Sequence, residues 1–289
     1  PGVIQRVDLS QPALVIRPVK TVEAPLLVSA MAGPTVGQIG QTILPFTRTL
    51  APLANRTAIV LLSTSGLATL PWNFDAAVAK PHIETVVNIA DGSTELASGG
   101  MIAILGNGFS GVTASAAELP LPTTLGEACV AINGVPTPLF MVSPSQINAQ
   151  IPFEVSGGAA IVVRSAGGVS DPYSFTVSSS SPAIFHTGTA GPDTGLPAIF
   201  RAVNNDLVTL SNPVHPGDYL TVYLAGLGRT SPEVASGAAA PYSPLAASVE
   251  VPHVTLGNVP LPVLYSGLVP GLVGVYQMNV YVPEQVPRG

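Results

Sequence analysis

Gly100-Met-Ile-Ala-Ile-Leu-Gly-Asn-Gly-Phe109 and Gly217-Asp-Tyr-Leu-Thr-Val-Tyr-Leu-Ala-Gly-Leu-Gly228 are two versions of one element, an apolar strand-like run that ends in glycines. Two further pairs follow in the same order. Val130-Ala-Ile-Asn-Gly-Val-Pro-Thr-Pro-Leu-Phe140 matches Val254-Thr-Leu-Gly-Asn-Val-Pro-Leu-Pro-Val-Leu264. Both set an Asn beside a Gly between β-rich runs, and these residues tolerate the positive φ of a two-residue hairpin turn. Ser145-Gln-Ile-Asn-Ala-Gln-Ile-Pro152 matches Tyr276-Gln-Met-Asn-Val-Tyr-Val-Pro283, an alternating strand closed by proline. Three matched blocks in one order define an internal repeat. The repeat predicts an all-β chain with tandem immunoglobulin-like β-sandwiches at residues 81–180 and 181–289, joined at Ser178-Ser-Ser-Ser-Pro182. Residues 1–80 do not match it and are expected to form a smaller β-rich region. Its clearest element is a hairpin of Thr57-Ala-Ile-Val-Leu-Leu-Ser63 and Leu67-Ala-Thr-Leu-Pro-Trp72, turning through Thr64-Ser-Gly66.

Composition points the same way. The 289 residues are 47% hydrophobic and 9% charged, with 29 Gly and 30 Pro, a density that interrupts helical hydrogen bonding and leaves short strands and tight turns. Ten Lys and Arg are scattered singly in a chain of net charge −6, so no basic stripe exists for a phosphate backbone and nucleic acid is not an expected partner. The longest apolar runs fall far short of the roughly 20 residues of a membrane helix, and no membrane span is expected. The sequence begins at Pro1 without an initiator Met, as a processed mature form or a fragment of something longer would. A single Cys129 excludes an internal disulfide, and its place in Glu127-Ala-Cys-Val-Ala-Ile-Asn133 reads as a small buried hydrophobe on a strand.

The repeat resembles the Solibacter-type C-terminal domain family, an immunoglobulin-like module related in style to IPT/TIG domains and found at the ends of secreted acidobacterial proteins. The resemblance rests on Val86-Val-Asn-Ile-Ala90, Leu121-Pro-Thr-Thr-Leu-Gly126, Ile132-Asn-Gly-Val-Pro-Thr-Pro138, Val142-Ser-Pro-Ser-Gln-Ile-Asn148, Ala225-Gly-Leu-Gly-Arg229 and Gly267-Leu-Val-Pro-Gly-Leu-Val-Gly-Val-Tyr-Gln-Met-Asn279. The segments Asn55-Arg-Thr-Ala58 and Leu70-Pro-Trp-Asn-Phe74 look like the stretch that precedes the module in relatives. The likeness implies a secreted, cell-surface location and a fold; it carries over no catalytic residue and no cofactor.

Gly106-Asn-Gly-Phe-Ser-Gly111 matches a dinucleotide fingerprint letter for letter, but Pro120 and Pro122 follow where a phosphate-holding helix would have to begin, so a strand-end turn is expected instead. His82, His186, His215 and His253 are far apart, without metal-ligand spacing. Ser143 and Ser145 lack a nucleophile elbow. Asp91-Gly92 and Asn204-Asn205-Asp206 read as turns rather than calcium loops. Asn55-Arg-Thr57 fits a glycosylation pattern that has little meaning in a bacterial protein. No catalytic, cofactor or metal residue is therefore expected, and the chain reads as not an enzyme.

Two functions from different classes remain. One is a subunit of an extracellular filament or stalk; the other is an adhesion module that binds a surface glycan or protein. Assembly follows from an asymmetry of the repeat. Ala159-Ala-Ile-Val-Val-Arg164 and Tyr173-Ser-Phe-Thr-Val177 extend the first copy, and nothing after Pro283 corresponds to them. The apolar runs at residues 3–7 and 13–19, with Val3, Ile4, Val7, Leu14, Val15, Ile16 and Val19, are expected to complete the second sandwich of another copy beside Tyr276, Met278, Val280 and Val282, by donor-strand complementation into a head-to-tail homopolymer. The equal alternative is a trimmed chain whose final hairpin lies beyond Gly289.

Overall fold

The computed structural model describes residues 2–8, 15–22, 50–54, 58–63, 66–71, 80–188 and 194–286. The chain divides into two compact units, residues 1–77 and 78–289. Among the described residues every regular element is a strand, so the chain is all-β as its glycine and proline content requires.

The first unit contains β1 (Gly2–Asp8), β2 (Val15–Val22), β3 (Leu50–Pro52), β4 (Ala58–Ser63) and β5 (Gly66–Pro71). β1 and β2 form an antiparallel pair of their own, Val7 opposite Ile16 and Gly2 opposite Val22. β3, β4 and β5 make a separate three-stranded sheet. β4 and β5 are the expected hairpin, in register from Ala58 opposite Pro71 to Ser63 opposite Gly66. Leu14, Asn55, Thr57, Thr64 and residues 72–74 lie outside the described residues.

The second unit holds both copies of the repeat. The first copy comprises β6 (His82–Asn88), β7 (Leu96–Ala97), β8 (Met101–Asn107), β9 (Ala114–Ser115), β10 (Thr124–Leu125), β11 (Ala128–Ile132), β12 (Val135–Pro136), β13 (Leu139–Val142), β14 (Gln146–Gln150), β15 (Gly157–Ser165), β16 (Gly168–Val169) and β17 (Tyr173–Ser178). One sheet runs β6-β8-β14-β13-β9 and the other β10-β11-β15-β17-β7. Alternation aims one side of each strand inward: in β11, Ala128, Val130 and Ile132 are buried while Cys129 and Ala131 are half-exposed. Ile102, Ile104 and Ile147 of the first sheet meet Ile132, Ile161 and Val163 of the second in one core, which makes this half a sandwich closed on both faces.

The second copy comprises β18 (Ala183–Ile184), β19 (Ile199–Arg201), β20 (Tyr219–Ala225), β21 (Thr230–Ser231), β22 (Ala247–Ser248), β23 (Val254–Leu256), β24 (Val259–Leu261), β25 (Val263–Leu268) and β26 (Tyr276–Tyr281). Its large sheet runs β18-β20-β26-β25-β22-β21. β18 and β19 share one flank of β20, Ile184 opposite Leu224 and Ile199 opposite Val222, where the first copy has the unbroken β6. Both repeat hairpins turn as the sequence requires: Asn133 and Gly134 have φ of 50° and 81°, Gly257 and Asn258 of 55° and 68°. Positive φ at both central residues is the turn whose twist matches paired strands. Among the described residues the second sheet of this copy is β23-β24 alone, against five strands along the corresponding path of the first.

Candidate functional site

Three arrangements in the second unit are candidates for function: the junction of the two sandwiches, a polar cluster on the second, and the short β23-β24 sheet.

The junction is fixed by backbone and side-chain hydrogen bonds. Gly226 and Gly228, the strand-end glycines of the repeat, adopt φ of 80° and 77°. A Cβ at either would collide with the Ser181 or Ser179 carbonyl of the linker, and the Ser181 N–H donates to Gly226 O at 2.8 Å. Glycine is required because the linker backbone lies where a side chain would stand. From the first sandwich, Leu121 N–H donates to Gly237 O at 2.8 Å and Phe153 N–H to Ser236 Oγ at 3.0 Å. Tyr276, fully buried, donates its hydroxyl to Gly228 O, and burial pushes its phenol above the ordinary range. These contacts leave the linker no slack, and the serine run is a clamped segment rather than a flexible tether.

Beside the clamp a cleft of about 520 Å³ opens between Phe153, Glu154, Arg229, Thr230 and Glu233. A smaller one of about 280 Å³ shares Phe153 and Arg229 and reaches Glu250. The floor is a half-buried ring and the rim carries one guanidinium among three carboxylates, with Arg229 Nη1 4.0 Å from Glu233 Oε1.

The polar cluster was not anticipated from sequence. Arg201 Nη1 pairs with Asp218 Oδ1 at 3.0 Å, the side chains 12% and 17% exposed. Arg201 Nη2 donates to His215 Nδ1 at 2.8 Å and to the Pro213 carbonyl. Asp218 Oδ2 accepts the His215 backbone N–H at 2.7 Å. Arg201 Nε is buried without a hydrogen-bond partner. The cluster ties residues 202–217 to the ends of β19 and β20. Its only sequence signal was His215 three residues before Asp218, and nothing in the pattern placed Arg201 beside them.

The other candidate residues fall as follows. Gly106 packs against the His82 carbonyl and a loop, not a helix, follows β8, so the glycine pattern is a strand end. Asp91 Oδ1 accepts Ser93 N–H at 2.9 Å and Asn204 Oδ1 accepts Asp206 N–H at 3.2 Å; both segments are side-chain-capped turns. No group of three metal-ligating side chains occurs among the described residues. No helix among them is long and apolar enough to cross a membrane. Cys129 corrects its expectation: the β11 alternation that buries Val130 turns it to the half-exposed side, opposite Arg164.

The expected acceptor strand also needs correction. β26 pairs with β20 on one side and β25 on the other. Tyr276, Met278, Val280 and Val282 are buried in the core of their own sandwich. A central strand with both edges filled has no place for a donor. Of the expected donor residues, Val3, Ile4 and Val7 lie on β1, and Val15, Ile16 and Val19 on β2.

No family model matches the chain. No curated protein matches it either. Among solved structures it is similar to Gamma-CGTase from alkalophilic Bacillus clarkii, 16% identical over 61% of this chain and 28% of that one, with a TM-score of 0.27. That structure is of an enzyme, a CGTase, so the expectation that the chain is not an enzyme is withdrawn and is not carried forward as a conclusion. At this TM-score the likeness carries no argument about a reaction or a ligand.

Proposed function

We propose that the chain is an extracellular structural protein, a stiff pair of β-sandwiches that repeats along a cell-surface filament or stalk, copies joining by β-strand addition. The observation that carries this reading is the two-stranded β23-β24 sheet, a layer left open in one sandwich and filled in the other. The clamped junction supports it as well, since a repeating strut transmits load only if its halves do not hinge. The resemblance of the repeat to modules of secreted acidobacterial proteins supports the location. Negative-stain microscopy and light scattering of the native protein test it: concentration-dependent polymers are expected, and monomers at every concentration would sink the reading.

The cleft at Phe153 and Arg229 favours a second reading, an adhesion module for a surface glycan or a protein. A half-buried ring with carboxylates and a guanidinium at its rim has the donors, acceptors and apolar floor that such ligands use. Calorimetric titration against glycans, with Arg229→Ala as control, separates the two readings: saturable binding lost in the variant, without polymers, favours the second.

A further inference from the structure

The repeat supplies a template for the edge of β23 that no strand of the described residues occupies. In the first copy β11 carries β12 on one side and β15 on the other, Val130 opposite Val163 and Ile132 opposite Ile161, and β15 carries β17 in turn. The matching β23 carries β24, and among the described residues no strand occupies its other edge. Its side chains register the difference. Val130 and Ile132 are 2% and 0% exposed, whereas the matched Val254 and Leu256 are half-buried at the margin of their core.

The edge is open for hydrogen bonding as well. Thr255 lies opposite Pro260, which has no N–H, so this is a non-hydrogen-bonded pair of the β23-β24 ladder. The N–H and C=O of Thr255 therefore point away from β24, toward the side that β15 fills in the first copy, and the residue is exposed.

One element of the chain has the complementary form. β1 and β2 are a two-stranded sheet with no third strand among the described residues, and a lone hairpin is marginal in water. Its strands are 7 and 8 residues long, against 9 and 6 for β15 and β17, so the two pairs agree in total length, each strand differing by two residues. It carries Arg6, Arg17 and Lys20 against one carboxylate, Asp8, whereas residues 181–289 carry six carboxylates against three arginines. Pro18 sets the order of the strands. β2 lacks an amide donor there and suits an outer edge, while β1 has an N–H at each of its positions, so β1 is the strand that meets β23.

We propose that the β1-β2 hairpin of a second copy adds to the open edge of β23, giving the strand order β24-β23-β1-β2 in imitation of β12-β11-β15-β17. The inference rests on the assembly reading above and names its two partners. A head-to-tail contact of this kind leaves a free hairpin at one end and a free edge at the other, so it propagates.

The test is disulfide trapping in the full chain. Cys129→Ser removes the native thiol, and Gln5→Cys is combined with Thr255→Cys. On mild oxidation a ladder of covalent oligomers is expected, absent when either cysteine is introduced alone. A cross-linked monomer would mean donation within one chain and would overturn the proposal. Polymers in the microscope without a ladder would overturn it too while leaving the assembly reading intact; no polymers and no ladder would end both. Thr255→Pro, which removes the edge amide and leaves the β23-β24 bonds, is expected to cut the polymer fraction at least tenfold with the far-ultraviolet circular dichroism unchanged. Undiminished polymer in that variant would also count against the proposal.

Discussion

Gln150 of the first sandwich accepts the backbone N–H of Gly237 in the second at 2.7 Å. Its Nε2 donates to Gly99 O at 3.1 Å, and the side chain is 1% exposed. One amide thus satisfies a donor and an acceptor that no water reaches, 87 positions apart on one side. Gln150→Ala strands both groups, each at about 1–3 kcal/mol. A loss of about 2–4 kcal/mol in urea unfolding is expected, and a loss under about 0.5 kcal/mol would show that the junction does not depend on this bridge. Gln150→Glu keeps the acceptor but sets a buried carboxylate against Gly99 O, so at neutral pH it is expected to cost at least as much as the alanine, and less at low pH where the protonated acid can donate.

Tyr276 gives the junction an alkaline limit. Burial raises its phenol pKa above the ordinary value, so the folded protein holds the proton where the unfolded chain, with a pKa of about 10, releases it. The stabilisation is complete below about pH 10 and is lost as pH rises toward the folded value. Melting temperature should fall steeply from about pH 10 upward. Tyr276→Phe should start lower, by about 1–2 kcal/mol for the lost bond to Gly228 O, and decline more gently. Parallel alkaline slopes in the two proteins would contradict this.

The Arg201–Asp218 pair holds residues 202–217 from within. Both side chains are largely enclosed, so removing one partner leaves the other charge without its mate in a poorly hydrated place. Asp218→Ala is expected to cost about 2–4 kcal/mol, and to open that segment to limited proteolysis before global unfolding. Arg201→Lys keeps the charge but not the fork that reaches Asp218, His215 and Pro213 together, and should restore little of the protection. Equal cleavage rates in wild type and both variants would refute the tie.

The sequence made the repeat legible because its signals are local. Asn133-Gly134 and Gly257-Asn258 announce their turns by residue type alone, and alternation along β26 gave the buried set Tyr276, Met278 and Val280. Which strands become neighbours is settled by the whole fold, and there the reading went astray. Tyr276 to Tyr281 looked like a strand in want of partners because the segment that would follow it in the first copy had no counterpart. The structure gives β26 to β20 and β25, and the strand with an unpaired edge among the described residues is β23, in the other sheet and some 20 residues earlier. The Arg201 cluster was invisible for the same reason, its members being joined by the fold and not by spacing. Cys129 reads as buried from its residue type alone, and the structure makes it half-exposed because the alternation of β11 gives the inward side to Ala128, Val130 and Ile132.

Gly226 and Gly134 make a paired test of why the repeat ends its strands in glycine. Both have positive φ, 80° and 81°, so an alanine at either meets the same backbone strain, about 1 kcal/mol. Their surroundings differ. At Gly134 an added Cβ has nothing within 4 Å, whereas at Gly226 it runs into the Ser181 carbonyl carbon and oxygen. Those atoms belong to the linker whose own N–H is bonded to Gly226 O, so the clash cannot be relieved by turning a side chain and must displace backbone. Gly134→Ala is expected to cost about 1 kcal/mol and to leave the unfolding transition single and sharp. Gly226→Ala should cost about 3 kcal/mol or more and broaden the transition, as the second sandwich loosens from the first. Fluorescence and circular dichroism followed through the same urea series would show the difference as coincident curves for the turn variant and separated curves for the junction variant. Equal losses with coincident curves in both would mean that the linker is not held by this close approach.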